Sequence, residues 1–363
     1  MLQRVITSLV AARRVPDWWF PLFEIASRPS IFLSADWLQT WIDVYGDEFE
    51  GQWIRWEEGG TVVGGCLIIA RTVRKSLVGI RSVYLNATGD ASVRTPFAEF
   101  NDVLCAAGYT DAIATSLSHF LSTQRWDRIL LSGYEEGGVI DKLLPMMYTS
   151  AVETAPQLAS YIDLDALNTD SPTNAVSPNT RGQIRRSRRL YEQRAGPLIL
   201  RRAENLKEGG VFLDNLAALH NVRRGIKGEQ GSFESKHVMT FHKQLLARLW
   251  NTARVDLLRL RTGDQDVGYL YNFIFRGKVY FFQSGFVYES DQKLKPGLLM
   301  HSLAIEKYRL EGLQEYDFLV GDSQYKRSLA KQSRTLYWST IYRGTWKIQQ
   351  LLRLRHIFRW IRK

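Results

Sequence analysis

KVYFFQSGFVYESDQKLKPGLLMHSLAIEKYRLEGLQEYDFLVGDSQYK, residues 278–326, decides the fold. Lys278 to Gln283 is rich in aromatic and β-branched residues and reads as a strand. Tyr288 to Lys295 is polar and reads as a loop. Pro296-Gly297 then opens a helix that runs to Glu311, since proline suits a first helical turn whose N–H has no partner anyway. Glu315 to Val320 is a buried-type strand that ends on Gly321.

Working outward, Phe241 to Asn251 has helical spacing, and Val255 to Leu260 and Tyr269 to Phe275 read as strands, the latter joined to the next at Arg276-Gly277. A similar order stands earlier in the chain. A helix capped by Ser34 carries Trp37, Leu38, Trp41, Ile42 and Tyr45 on one stripe; its tryptophans read as core. Gln52–Trp56 and Val62–Ala70 form a hairpin about Glu57–Gly60, followed by a strand at Ser82–Leu85, a helix at Ala112–Gln124 and a strand at Asp127–Gly133. The chain therefore reads as a diverged tandem repeat, resting on the order of elements alone. Between the halves, Asn168 to Asn179 is a loop by composition, and Arg181 to Glu192 is a helix with Arg181, Arg185, Arg188 and Arg189 along one side. The expected class is α/β (α+β), with a mixed central sheet flanked by helices in each domain. The expected divisions are 1–167, 168–345 and a basic amphipathic C-terminal helix at 346–363.

At 363 residues the chain exceeds the usual size of one hydrophobic core. A net charge of +11 favours anionic partners, including phosphorylated cofactors, nucleic acid and acidic lipid. Cys66 and Cys105 are too few for a disulfide framework or a cysteine-based zinc site, which points to a reducing, cytoplasmic compartment. The N-terminus lacks a cleavage pattern, and no run is long and apolar enough to span a bilayer. The 346–363 helix sets Leu351, Leu354, Phe358 and Ile361 on one side with arginines flanking them. It suits either peripheral binding to an anionic inner-membrane surface or packing against the body.

Several chemistries are excluded by spacing. Gly225 and Gly231 have five residues between them and no lysine precedes Ser232, so the loop is not a nucleotide-binding P-loop. No Gly-x-Ser-x-Gly elbow occurs. His237 and His242, five apart, do not share a helical face, so no metal is expected. The helix after Lys295 offers unpaired N–H groups and a positive dipole end to a phosphate, or is simply a tight helix start. The arginine helix is a solvated face, a site for an acidic glycan through Arg185 and Arg189, or an RNA-contacting surface.

These pieces together resemble the GNAT-type acyltransferases of the CelD-like family of bacterial cellulose and exopolysaccharide biosynthesis proteins, themselves similar to the tandem-GNAT Fem-type transferases. The resemblance is carried by Phe32-Leu-Ser-Ala-Asp-Trp-Leu38, Arg181 to Tyr191, Leu219-His220 through Gly231-Ser-Phe233, Pro296-Gly-Leu-Leu299, and Tyr316 to Asp322 with Tyr325-Lys326. It implies an acyl donor, acetyl-CoA or another acyl-CoA, lying between two splayed parallel strands. Those strands would be Lys278–Phe286 and Glu315–Val320. Ser284, Gly285, Phe286, Lys295, Gly297, Leu298 and Lys326 would line the donor site. The family's pyrophosphate pattern, aligned on Gly297, meets Leu294 and Leu299 where it has Gln or Arg and Gly or Ala.

Attack on a thioester needs an unprotonated nucleophile, an oxyanion site and a proton for the thiolate. By resemblance, a backbone N–H near Ser284–Phe286 serves the oxyanion and Tyr325 the thiolate. His220, with an ordinary pKa near 6.5, is the expected general base, and Glu229 is its substitute. Arg224 and Lys227 would meet the acceptor in the polar loop Arg223–Ser232. Asp322 reads as an N-cap. The implied reaction is transfer of an acyl group from acyl-CoA to an amine or hydroxyl, on an amino sugar or glycan precursor of surface polysaccharide, with the N-terminal half a degenerate copy. No DNA partner is expected. The alternatives are a Fem-type transferase using aminoacyl-tRNA and a catalytically degenerate subunit of a polysaccharide assembly system.

Overall fold

The computed structural model describes residues 2–9, 13–75, 78–86, 95–147, 151–167 and 176–350. The chain divides into two compact units: Met1–Gln157 with Leu336–Lys363, and Leu158–Thr335.

Unit 1 contains β1 (Gln3–Ser8), α1 (Trp19–Ile25), α2 (Ala35–Tyr45), β2 (Glu50–Glu58), β3 (Thr61–Lys75), β4 (Val78–Leu85), β5 (Leu104–Cys105), α3 (Thr110–Thr123), β6 (Arg128–Tyr134), α4 (Val139–Leu143) and the start of β7 (Ala151–Asp163). The Ser34 hydroxyl accepts from the Trp37 amide at 3.3 Å, and the stripe Trp37, Leu38, Trp41, Ile42 and Tyr45 of α2 is buried. Gly59 and Gly60, at φ 57° and 80°, make the two-residue turn that matches the twist of β2 and β3. The hairpin is longer than its apolar run because ladder hydrogen bonds continue past the last buried side chain. β4 and β6 run parallel and pair through Ser82↔Arg128, Val83↔Ile129 and Tyr84↔Leu130. Tyr337–Tyr342, from the last strand of the chain, lies antiparallel to β6.

Unit 2 contains the end of β7, α5 (Pro178–Ala195), β8 (Leu198–Arg202), α6 (Leu206–Ile226), α7 (Lys236–Trp250), β9 (Val255–Thr262), β10 (Gln265–Phe275), β11 (Lys278–Phe286), α8 (Pro296–Leu310), β12 (Glu315–Val320), α9 (Gln324–Leu329) and the start of β13 (Gln332–Tyr342). Its sheet has the order β7-β12-β11-β10-β9-β8. All pairs are antiparallel except β11 with β12. Buried faces of α5 and α8 share a core that includes Ile184, Tyr191, Leu270, Phe281, Leu299, Ile305, Tyr316 and Phe318. At the far end of α8, the buried Asp256 carboxylate accepts from Arg202 at 2.8 Å through both oxygens and from the Tyr308 hydroxyl at 2.8 Å. Three donors satisfy a carboxylate that would otherwise be costly to bury.

Several expectations change. The stretch Arg223–Ile226, expected as loop, is the last turn of α6. Val222, Arg223, Arg224 and Ile226 all tolerate helix, and Gly225 is accommodated near its end. Asp322 does not cap α9: Ser323 holds the cap position, and the Asp322 carboxylate pairs with Arg327. β1, β8 and β13, which the pattern of residues did not announce, are strands. Of the expected C-terminal helix, 346–350 is helical, and 351–363 lies outside the described residues. The loop expectation at 168–175 lies outside them as well, while Pro178 and Asn179 belong to α5, whose cap is Ser177. No helix among the described residues is long and apolar enough to cross a membrane.

Candidate active site

In unit 2, β11 and β12 pair only through Lys278↔Glu315, Val279↔Tyr316 and Tyr280↔Asp317. Beyond Phe281 and Phe318 no ladder joins them, and the sheet forks. The cause lies in β12. The Asp317 carboxylate accepts from the Leu319 amide at 2.6 Å, Leu319 sits at φ 57°, and the register with β7 breaks between Asp317 and Val320. A local side-chain-to-backbone bond thus turns the strand out of its ladder. Such a fork leaves the β11 edge beyond Tyr280 without a partner in β12, a place where an extended ligand can pair with the strand.

The start of α8 stands in the connection between the forked strands. No side chain caps it, so its first-turn amides remain available. Its position is fixed from α5: the Lys295 amide donates to the buried Ser187 hydroxyl at 2.9 Å, and Arg194 pairs with Glu289 at 2.8 Å and Asp291 at 2.9 Å in the preceding loop. Arginines of α5 therefore serve in part to brace this loop. Gly297 has a packing reason for its size, since a Cβ there would stand 3.1 Å from the Phe286 ring. Lys295 is half-buried and Leu298 buried.

Helix α6 packs against the β11 limb of the fork. A Cβ on Gly285 would lie 2.4 Å from the Leu216 carbonyl oxygen, so only glycine permits this approach. One turn beyond Leu216, His220 comes to the same stretch of strand, beside the Ser284 backbone and the Gln283 side chain. Its Nε2 is buried with no partner. Burial, then the Arg224 guanidinium one turn on, lowers the imidazole pKa below its ordinary value. His220 is therefore neutral, as a base must be. Glu229 is less suited to that role, because Arg224 pairs with its exposed carboxylate and lowers its pKa. Lys227 is exposed at the end of α6.

On the β12 limb, Gly321 at φ 118° turns the chain into α9. The half-buried Tyr325 of α9 has its phenol pKa raised by burial, against the opposing effect of the nearby Ser323 hydroxyl, so it stays protonated. Lys326 does not face outward to a phosphate: its buried ammonium donates to the carbonyls of Val320 at 2.7 Å and Leu319 at 3.2 Å, closing the end of the bent strand. Arg185 and Arg189 are exposed on α5. The residues that sequence reasoning missed are His301, Ser187 and Asp317. Each is a single polar side chain in an apolar helix or strand face, a pattern that equally marks a satisfied core residue. Among the described residues no cluster of His, Cys, Asp or Glu could hold a metal.

Unit 1 has a corresponding fork between β4 and β6, but the chain itself fills it. The Asn101 amide donates to Gly133 O on β6 at 2.9 Å, and its side chain donates to Leu85 O on β4 at 3.3 Å. Asn86, fully buried, donates to Asn101 Oδ1 and to Asp102 O and accepts from the Leu67 amide. Asp102 in turn accepts the Val139 and Ile140 amides at the start of α4, both at 3.0 Å. The polar edges that stay open in unit 2 are here satisfied internally.

Residues 178–327 match the family model described as Acetyltransferase (GNAT) domain. The fold is similar to the crystal structure of FemX, with 11% identity, 97% of this chain and 99% of that chain covered, and a TM-score of 0.58. It is also similar to the structure of L-PGS from Bacillus licheniformis, with 9% identity, coverage of 94% and 96%, and a TM-score of 0.54. No curated protein matches the chain. Residues 178–327 are thus similar to a GNAT acetyltransferase domain, and the fold is that of the tandem-GNAT proteins.

Proposed function

We propose that unit 2 transfers an acyl group, acetyl in the simplest case, from acyl-CoA to an amine or hydroxyl acceptor. The observation that carries this reading is the open fork of β11 and β12, with the uncapped start of α8 in its connection, His220 beside one limb and Tyr325 beside the other. In this reading His220 takes the proton of the acceptor N–H or O–H as the nucleophile bonds to the thioester carbonyl carbon. An amide of the Ser284–Phe286 stretch stabilises the oxyanion. As the C–S bond breaks, Tyr325 gives its hydroxyl proton to the thiolate. Gly297, Leu298 and Lys295 meet the phosphate end of the donor. The resemblance to CelD-like proteins supports an amino sugar or glycan precursor of surface polysaccharide as acceptor, with Arg224 and Lys227 beside it. Unit 1 is then a degenerate copy without a donor fork.

Calorimetric titration with acetyl-CoA and desulfo-CoA tests the donor. Saturable binding of both is expected, and no binding at millimolar concentration would sink the reading.

A second reading has aminoacyl-tRNA as donor. It is favoured by Arg185, Arg186 and Arg189, which are exposed on α5 with no ion pair among the described residues. Under that reading RNA co-purifies at low salt, and charged tRNA, but not acetyl-CoA, supports transfer.

A further inference from the structure

Five aromatic rings converge on His301 beneath the fork of unit 2. The imidazole is fully buried, one turn along α8 from Gly297. Its centroid is 4.5 Å from Phe281 and 5.3 Å from Phe318, the first residues beyond the last paired rungs of the two strands. Phe286 and Tyr316 stand edge-on at 6.1 Å and 6.0 Å. Tyr325 differs from these four: its ring lies nearly parallel to the imidazole, at 8° and 4.8 Å.

The imidazole is also tethered. Its Nδ1 lies 2.9 Å from the Tyr316 hydroxyl. Burial raises the Tyr316 pKa well above its ordinary value, so the phenol keeps its proton, and the hydrogen bond to His301 Nδ1 forms in either ring tautomer, with the hydroxyl donating in one and accepting in the other. The same burial, aided by the Lys326 ammonium, lowers the His301 pKa to about 3, so the ring is neutral. A phenylalanine at this position could offer the same face to Tyr325, but only packing would hold its plane. The Tyr316 hydrogen bond fixes it for histidine.

We propose that His301 is a positioning residue: tethered by Tyr316, it presents a ring of fixed orientation against which the Tyr325 phenol is held for its encounter with the departing thiolate. This rests on the reading that Tyr325 supplies the thiolate proton. Tyr316, at the last but one paired rung, and Tyr325, on α9, are thereby linked through one imidazole on α8.

The test compares wild type with Tyr316→Phe, which removes one oxygen, His301→Phe, which keeps the stacked face, and the double variant, each first shown to melt cooperatively. Tetranitromethane nitration at Tyr325, mapped by mass spectrometry, reports the hold on the phenol without needing turnover. Each single variant is expected to nitrate at Tyr325 about threefold faster or more, with no further gain in the double variant, because both remove the same tether. With acetyl-CoA and glucosamine, release of free CoA thiol falls about five- to tenfold while calorimetric affinity for acetyl-CoA holds within about twofold. Wild-type nitration rates in both single variants, or effects that multiply in the double variant, would overturn the proposal. If nitration follows expectation but Tyr325→Phe releases thiol as wild type does, the proton assignment fails and the tether stands.

Discussion

The backbone amide of Asn101 donates to the carbonyl of Gly133 at 2.9 Å, spanning the gap that in unit 2 is left open between β11 and β12. Each chain should therefore take up a single acyl-CoA. Calorimetry is expected to give a stoichiometry near one, and two equivalent sites would contradict the filled fork. Asn101→Ala should cost about 2 kcal/mol of unfolding free energy, measured in urea, because it takes a donor from the buried Leu85 carbonyl and one of the acceptors from the Asn86 side-chain amide, while donor affinity is unchanged.

Tyr325→Phe keeps the ring on His301 and removes only the hydroxyl, the proposed proton donor. Turnover is expected to fall by about a hundredfold with donor affinity nearly intact. A parallel loss of both would move Tyr325 from chemistry to binding.

His220 must be neutral to accept a proton, and burial together with Arg224 lowers its pKa. The acid limb of the pH–rate profile should therefore lie below the ordinary histidine value of 6.5. Replacing Arg224 by glutamine removes a positive charge that opposes protonation, so the limb should move to higher pH. A limb insensitive to that change would point to another base.

Gly285→Ala sets a methyl against the Leu216 carbonyl at 2.4 Å. Helix α6 must shift, taking His220 away from β11. The expected loss is on the order of 2 kcal/mol of stability, with a fall in turnover that exceeds any loss of donor affinity. Wild-type turnover in a correctly folded variant would show that the approach of α6 is not needed.

Burial raises the Asp317 pKa to about 7, against the opposing charge of Arg334. A carboxyl with a raised folded-state pKa contributes stability that is full below its unfolded value and fades as pH rises through the folded one. Asp317→Asn removes that dependence. Its melting temperature should gain on wild type progressively from pH 4 to pH 8, equivalent to at most about 4 kcal/mol. A constant difference across that range would mean that Asp317 is not buried as a titrating acid.

Much of the frame was legible in the order of residues. Pro296-Gly297 marks the start of α8, the Ser34 cap starts α2, and the strand Glu315–Val320 lies where its buried pattern puts it. These are local signals: fixed φ at proline, a hydroxyl that meets an orphan amide, and side-chain alternation. β8 and β13 were not legible, because short or half-exposed strands take their identity from the neighbour that completes their ladder.

The site divides in the same way. Sequence alone determined that His220, Ser284–Phe286 and Tyr325 are residue types fit for acyl transfer. Tertiary structure decided which strand or helix each of them stands beside and what surrounds it. A glycine without a Cβ lets α6 bring His220 to Ser284, and the same fold commits Lys326 to two backbone carbonyls. It also sets His301, an unremarkable histidine on an apolar helix face, between Tyr316 and Tyr325. The fork follows the same division. Two strands joined by a helix are written in the residue pattern, but whether the gap between them stays open or is closed by the chain depends on contacts between segments far apart in sequence. Local composition carries no record of those contacts.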